Sequence, residues 1–299
     1  MRLAELRSEL GGPAQTTLRG HLRKLAEFGV IAKEGGGMPY SVENELTAAG
    51  RDLLEVAEAV AGWLERAPEG PLPLGSVGAK GAIKALAGGW ESTMLRAFAA
   101  RPLSLTQLDR LIADLSYPSL ERRLSAMKIT GLVGPSPADG ERTPYVITRW
   151  AREGVGPLAA AVRFERTHLV AETTPPAVID VEAAFLLSTP IAALPTEADG
   201  TCQLAAHTGD GRRKLAGVRV AVDRGEVVEC ISQLESRPRN WAVAPAAAWL
   251  DAVILRDAGR LRIGGDEELA RELVHGIHDA LFSPNGCADA TASGEAVGV

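Results

Sequence analysis

The sequence predicts an α+β chain: two tandem helix–helix–hairpin–helix modules followed by a small α/β domain. Three observations carry this. The opening segment matches a later one, without a gap, after a shift of 102 residues. In both copies the apolar residues first fall at helical spacing and then give way to short extended runs. After Pro175-Pro176, helical periodicity is replaced by alternating valines around a tight-turn signal.

The repeat is read residue by residue. Leu3, Leu6 and Leu10 meet Leu105, Leu108 and Ile112. Leu18, Leu22 and Leu25 meet Leu120, Leu124 and Met127. Gly29 meets Gly131, and Val30-Ile31 meets Leu132-Val133. Further on, Pro39-Tyr40 matches Pro144-Tyr145, and Leu46-Thr47 matches Ile147-Thr148.

Each copy opens with a helix, residues 3–10 or 105–115. A turn follows, GGP or SYP. A second helix then buries one face, with apolar residues at i, i+4 and i+7. Gly29 or Gly131 stops it, the expected C-terminal glycine. An apolar pair starts a strand, a loop rich in Gly, Pro and Asp turns the chain, and a second strand returns. A long helix closes the module, residues 48–67 or 149–169. A further helix, residues 82–102, precedes the second copy. Only Met1 and Arg2 precede the first, so its leading helix is read as missing.

The expected domains are a first module at 1–70, a linker at 71–82, a second module at 83–172, an α/β domain at 177–284 and a disordered tail at 285–299.

Charge narrows the function. The net charge is −6, but it is unevenly spread. Residues 1–170 carry 21 Lys and Arg against 19 Asp and Glu, while residues 171–299 carry 11 against 19. Any nucleic-acid contact must therefore come from a local cluster rather than a basic field. The three cysteines, Cys202, Cys230 and Cys287, are far apart, and no CxxC pair suggests structural zinc. No apolar run approaches the ~20 residues that span a bilayer. The N-terminus has no secretory core. A cytoplasmic protein that does not enter membranes is expected.

Two helices, a hairpin wing and a closing helix make a winged helix-turn-helix. The stretch TTLRGHLRKLAEFGVI, followed by PYSVENELTAAGRDLLEV, resembles the HxlR-like branch of the MarR-type winged-helix regulators. SLERRLSAMKITGLV followed by TPYVIT resembles it in the second copy. The second copy departs from the family's Leu-Thr-x-x-Gly, with Ile147-Thr148-Arg149-Trp150-Ala151 in its place. The resemblance covers about residues 1–169 and implies binding to double-stranded DNA.

A recognition helix buries one face and offers the other to the major groove. With Leu18, Leu22 and Leu25 buried, Thr16, Arg19, Gly20 and Arg23 face outward. Gln15 and Thr17 sit at the helix start, and Lys33 in the wing suits phosphate. In the second copy Arg122 lies opposite the buried face and Arg123 on its flank. Ser116, Tyr117 and Ser119 crowd that helix start, and Arg142 sits in its wing. All of these but Gly20, twelve residues, are the candidate DNA contacts. Two modules in one chain can pair internally on an imperfect palindrome, and a homodimer is equally compatible.

In the acidic back half, GTCQLAAHT reads as a strand and LAGVRVAVDRGEVVECISQL as a hairpin turning at Asp-Arg-Gly. A helix is expected from residue 246. A short strand ends in Ile-Gly-Gly-Asp, and a final helix is capped by Asp266, with Leu269, Leu273, Ile277 and Leu281 as its buried stripe. AAAWLDAVILRDAGRLRIGGDEELARELV resembles the sterol-carrier-protein-type α/β fold over about residues 178–282. That resemblance implies a small apolar or aromatic ligand, with Trp241 and Trp249 as candidate pocket walls.

Catalysis is not expected: GxSxG, HExxH and GxxxxGK[ST] are all absent. No cofactor is expected. His275 and His278 stand at i, i+3, a spacing that can hold a metal, but they project to an exposed face shared with Arg271, so no metal site is assigned. The sequence thus predicts a ligand-responsive transcriptional regulator. The rival reading is a small-molecule sequestration protein whose winged helices are only a scaffold.

Overall fold

The computed structural model describes residues 1–35, 42–91, 93–136, 144–169, 178–207 and 215–283. The Pro175-Pro176 boundary, the wing residue Arg142, Cys287 and the tail at 285–299 lie outside the described residues. No described helix is long and apolar enough to cross a membrane.

The chain forms two compact units. One holds Met1–Glu58 with Ala160–Thr173, the other Ala59–Ala159 with Thr174–Val299. The division therefore falls inside two helices rather than in a linker near residue 70.

The first unit contains α1 (Leu3–Glu9), α2 (Gln15–Glu27), β1 (Ile31–Gly35), β2 (Val42–Leu46) and the start of α3 (Ala48–Glu65). β1 and β2 are antiparallel, pairing Ile31 with Leu46 and Lys33 with Asn44. α2 ends in a Schellman turn. Gly29 takes φ 68°, and the Val30 N–H donates to the Leu25 carbonyl at 2.9 Å. A side chain at that φ would be strained, so glycine is required. The Thr47 hydroxyl donates to the Gly29 carbonyl at 2.6 Å and accepts from the Gly50 N–H at 3.0 Å, tying the hairpin's end to the start of α3. Later in the chain, His168 Nε2 meets Asp52 Oδ2 at 2.7 Å in this unit.

The second unit also carries two helices followed by a two-stranded hairpin and a helix. Its elements are α4 (Val77–Glu91), α5 (Met94–Ala100), α6 (Leu105–Leu111), α7 (Tyr117–Ile129), β3 (Val133–Pro135), β4 (Tyr145–Ile147) and α8 (Arg149–Glu153), and α9 (Val155–His168) follows. α7 also ends in a Schellman turn, with Gly131 at φ 77° and Leu132 N–H donating to Met127 O at 2.8 Å. Thr148 donates to the Gly131 carbonyl at 2.8 Å and accepts from Ala151 N–H at 3.2 Å. These are the contacts of Thr47, shifted by about one module. The departure to Ala151 leaves this helix cap intact.

Three boundaries differ from expectation. The expected linker ends early, because Ser76 caps α4 by accepting from Ala79 N–H, and Ala79 and Ala82 are fully buried. The expected helix at 82–102 breaks at Thr93, which takes a left-handed φ of 58°. The helix expected over 149–169 is divided at Gly154, where a Cβ would press on the Leu86 side chain.

The rest of the second unit is a mixed sheet under helices. α10 (Val178–Ser188) is followed by β5 (Gly200–His207), β6 (Leu215–Asp223), β7 (Glu226–Ile231), β8 (Trp241–Pro245), α11 (Ala246–Ile254), β9 (Arg262–Gly264) and α12 (Glu267–Phe282). The strand order is β7-β6-β5-β8-β9. Only β5 and β8 are parallel; the other pairs are antiparallel. Arg224 (φ 48°) and Gly225 (φ 81°) close the β6–β7 hairpin, both positive as a two-residue type I′ turn requires. Asp266 caps α12 through the Glu268 and Leu269 N–H groups, and Leu269, Leu273, Ile277 and Leu281 are all buried.

One core runs from the helices α4–α8 to the sheet. Met94, Leu95, Leu108, Leu120 and Leu124 belong to the same buried cluster as Leu187, Leu204, Val218, Val220 and Leu273. α10 is the shared layer, packing on α5 on one side and β6 on the other.

Candidate nucleic-acid interface

α2 is built as an amphipathic reader. Leu18 is buried and Leu22 and Leu25 are half-buried, while Gln15, Thr16, Thr17, Arg19 and Arg23 are exposed. Arg19 and the wing residue Lys33 have no side-chain partner among the described residues, and neither do Arg7 and Lys24. Arg23 lies 3.7 Å from Glu27 in a solvent-exposed pair, a contact too weak to withdraw it from a ligand. The turn between α1 and α2 leaves a cavity of about 490 Å³ beside Arg7, Ser8 and Gln15. Ala14, at the helix N-cap, offers no side-chain acceptor.

α7 presents its candidates differently. Tyr117 and Arg122 are exposed. Ser116 donates its hydroxyl hydrogen to Ser119 Oγ at 3.1 Å, so these two hydroxyls engage each other. Arg123 is turned inward: its guanidinium donates to the Gly88 carbonyl on α4 at 2.5 Å. The expectation that it lies on a DNA-facing flank is corrected, because α4 packs along that side of α7. Lys128, not singled out from the sequence, donates to Tyr145 Oη at 3.0 Å and sits 4.7 Å from that ring's centre.

The proposed pocket tryptophans do not share a space. Trp249 is sealed at 1% exposure; its indole N–H donates to Ala205 O at 2.8 Å and its ring meets the edge of Phe185. It serves as core. Trp241 lies half-buried on β8, its ring against Gly264 of the neighbouring strand. His275 and His278 are half-buried rather than exposed, and His278 Nδ1 lies 2.9 Å from the Val253 carbonyl. Among the described residues no group of three His, Cys, Asp or Glu is placed to hold a metal.

A short helix, a turn, a recognition-type helix with an outward cationic face and a two-stranded hairpin define a helix-turn-helix module with a wing. Residues 1–70 match the HxlR-like helix-turn-helix family. The match spans α1, α2, the β1–β2 hairpin and α3, and it supports a winged helix-turn-helix of the kind that DNA-binding transcription regulators carry. No curated protein and no solved structure matches the chain.

Proposed function

We propose that the protein is a transcription regulator rather than an enzyme, that it is built on tandem winged helices and binds duplex DNA, and that its α/β layer is regulatory. The observation that carries the reading is the outer face of α2. Thr16, Arg19 and Arg23 stand exposed over a buried Leu18, with Lys33 on the adjoining strand without a partner among the described residues. Arginine and threonine in that setting suit base edges, and a lysine on the wing suits phosphate. The matching Schellman turns and the matching Thr47 and Thr148 caps support the second copy as the same module.

Regulation is proposed to run through α10. Arg152 on α8 donates to the Leu186 and Leu187 carbonyls at the end of α10, and Arg96 on α5 pairs with Glu182 on the same helix. A small apolar ligand that distinguishes two arrangements of the α/β layer would thereby bias the helices packed on α10. The element order after Gly200 favours the sterol-carrier-type reading of this layer. Since Trp249 is sealed, such a ligand has to be held by other residues or open that core.

The test is anisotropy of a labelled duplex from upstream of the protein's own gene, titrated across a salt series. Binding that weakens steeply with salt supports the reading. Indifference to this and to random duplex DNA would leave the chain without a regulator's basic activity.

A further inference from the structure

The two modules carry opposite chemistry at equivalent positions. With the 102-residue shift, Thr16, Arg19 and Arg23 of α2 correspond to Pro118, Glu121 and Ser125 of α7. All six are exposed. On α7, the place of the outward Arg19 is thus taken by a carboxylate, and that of Arg23 by a short hydroxyl. The wing changes likewise: Lys33 corresponds to Pro135. Glu27 at the end of α2 corresponds to Ile129, which is 81% exposed on α7. The cations that α7 does own are mostly occupied, Arg123 by the Gly88 carbonyl and Lys128 by Tyr145. Only Arg122 is left, beside Glu121.

A carboxylate on the groove-facing surface works against a reader in two ways. It meets the phosphate field with like charge, and it releases no counterion. A proline at the helix start and one in the wing remove backbone donors that position other readers on phosphate. The packing agrees with this division. α1 has no buried residue and α2 only Leu18, whereas α6 buries Leu108 and α7 buries Leu120, Leu124 and Met127 in the large core. The second module has become part of a scaffold.

We infer that DNA is read by α2 alone: Thr16, Arg19 and Arg23 determine the base preference, Lys33 holds phosphate, and the equivalent face of α7 stays out of the groove. This rests on the regulator reading above. Each chain then offers one reading helix. A bound site contains one kind of half-site, single or repeated by a second copy of the chain, and not two unlike half-sites read by one chain.

The test is selection of bound duplexes from a randomised pool with the full chain, followed by titration of the selected duplex. The wild-type protein is expected to select one half-site type. The Arg19→Ala, Arg23→Ala double variant should lose at least about 30-fold in affinity together with the base preference. Arg122→Ala should keep the same motif, with affinity within about 3-fold. Arg19→Lys, which keeps the charge, should retain salt-sensitive binding but alter the selected bases. Thermal melting by circular dichroism checks that each variant is folded. A composite motif of two unlike half-sites, or a motif changed by Arg122→Ala, overturns the inference and leaves the regulator reading standing. Failure of the wild-type chain to retain any duplex overturns both.

Discussion

Trp63 and Trp150 form a reciprocal pair. Their rings stack 4.4 Å apart at 7° from parallel, and each indole N–H donates to the other residue's backbone carbonyl at 2.8 Å. Both are essentially buried, at 0% and 4% exposure. The pair fastens the end of α3 to the start of α8, and beside it the buried Glu153 accepts from Arg66 and Arg149. Burying two indoles without partners would be costly, so mutual donation satisfies both N–H donors.

Trp150→Phe should keep most of the stacking but remove one of the two hydrogen bonds on the Trp63 carbonyl, which still accepts from the Arg66 N–H at 3.2 Å, at a cost of about 0.5–1.5 kcal/mol in urea unfolding. Trp150→Ala should cost about 3–5 kcal/mol. Because the two rings pack on each other, the double phenylalanine variant should cost less than the two single changes combined. Strict additivity would mean the two rings are not coupled.

Arg152 closes the C-terminal end of α10 by donating to two successive carbonyls. Burial pulls its guanidinium below the ordinary arginine value. The cation is kept there by carbonyl dipoles at a helix C-terminus, which favour positive charge. Arg152→Ala should destabilise the chain by about 2–4 kcal/mol. Arg152→Lys should recover part of that. Amide exchange in the last turn of α10 should rise in the alanine variant; an unchanged rate there would show that Arg152 does not hold this helix.

Much of this architecture can be read in the sequence where one face is buried and the other wet. The stops at Gly29 and Gly131 and the Asp-Arg-Gly hairpin follow instead from the positive φ that those glycines adopt, while the stripe of α12 follows that rule. α10 escapes it. Apart from Asp180 and Glu182 its sequence VIDVEAAFLLS is apolar, because it packs on α5 and β6 at once, so it shows no clear period to detect. The sequence places a helix from residue 82, inside α4, and its glycines permit close contacts with Arg123 and Met127 rather than breaking it; only the first turn, from Val77, is hidden in the glycine-rich stretch read as a linker. The DNA-facing candidates on α2 follow from helical projection. The inward turn of Arg123 does not, because it depends on α4, an element that is remote from it in sequence.

Glu182 links acidity to stability. Burial raises its carboxyl above the ordinary glutamate value, although Arg96 at 3.6 Å and a hydrogen bond from Gly217 act the other way. The folded state therefore holds this proton more tightly than the unfolded chain does. Its contribution is lost as pH rises from the ordinary carboxylate range through the raised value. Glu182→Gln should thus be at least as stable as wild type at pH 7, and that difference should close below about pH 4. Urea midpoints at the two pH values measure it. A glutamine variant clearly weaker at pH 7 would mean that the Arg96 pair outweighs burial.

Cys202 and Cys230 should be chemically quiet. Burial pushes both thiols up to about 12, so thiolate is scarce at pH 8. Reaction requires thiolate and access, and both are withheld. In a Cys287→Ser variant, an aromatic disulfide reagent should titrate neither cysteine within minutes under native conditions and both in guanidinium. Rapid native labelling of Cys230, the less enclosed of the two, would show that β7 opens readily.

Lys33 gives the sharpest separation of positioning from reading. It is exposed on β1, across from Asn44, with no partner among the described residues. A wing lysine that touches phosphate contributes the same amount to every duplex. Lys33→Ala should therefore weaken specific and random DNA by the same factor and leave the base preference untouched. It should also lower the slope of log affinity against log salt by about 0.9, the release of one condensed counterion. Arg19→Ala should behave otherwise, losing far more on the preferred duplex than on random DNA. The two titrations together distinguish the roles. If Lys33→Ala changed the preferred sequence, the wing would be reading bases; if it left the salt slope unchanged, the wing would not be on the DNA.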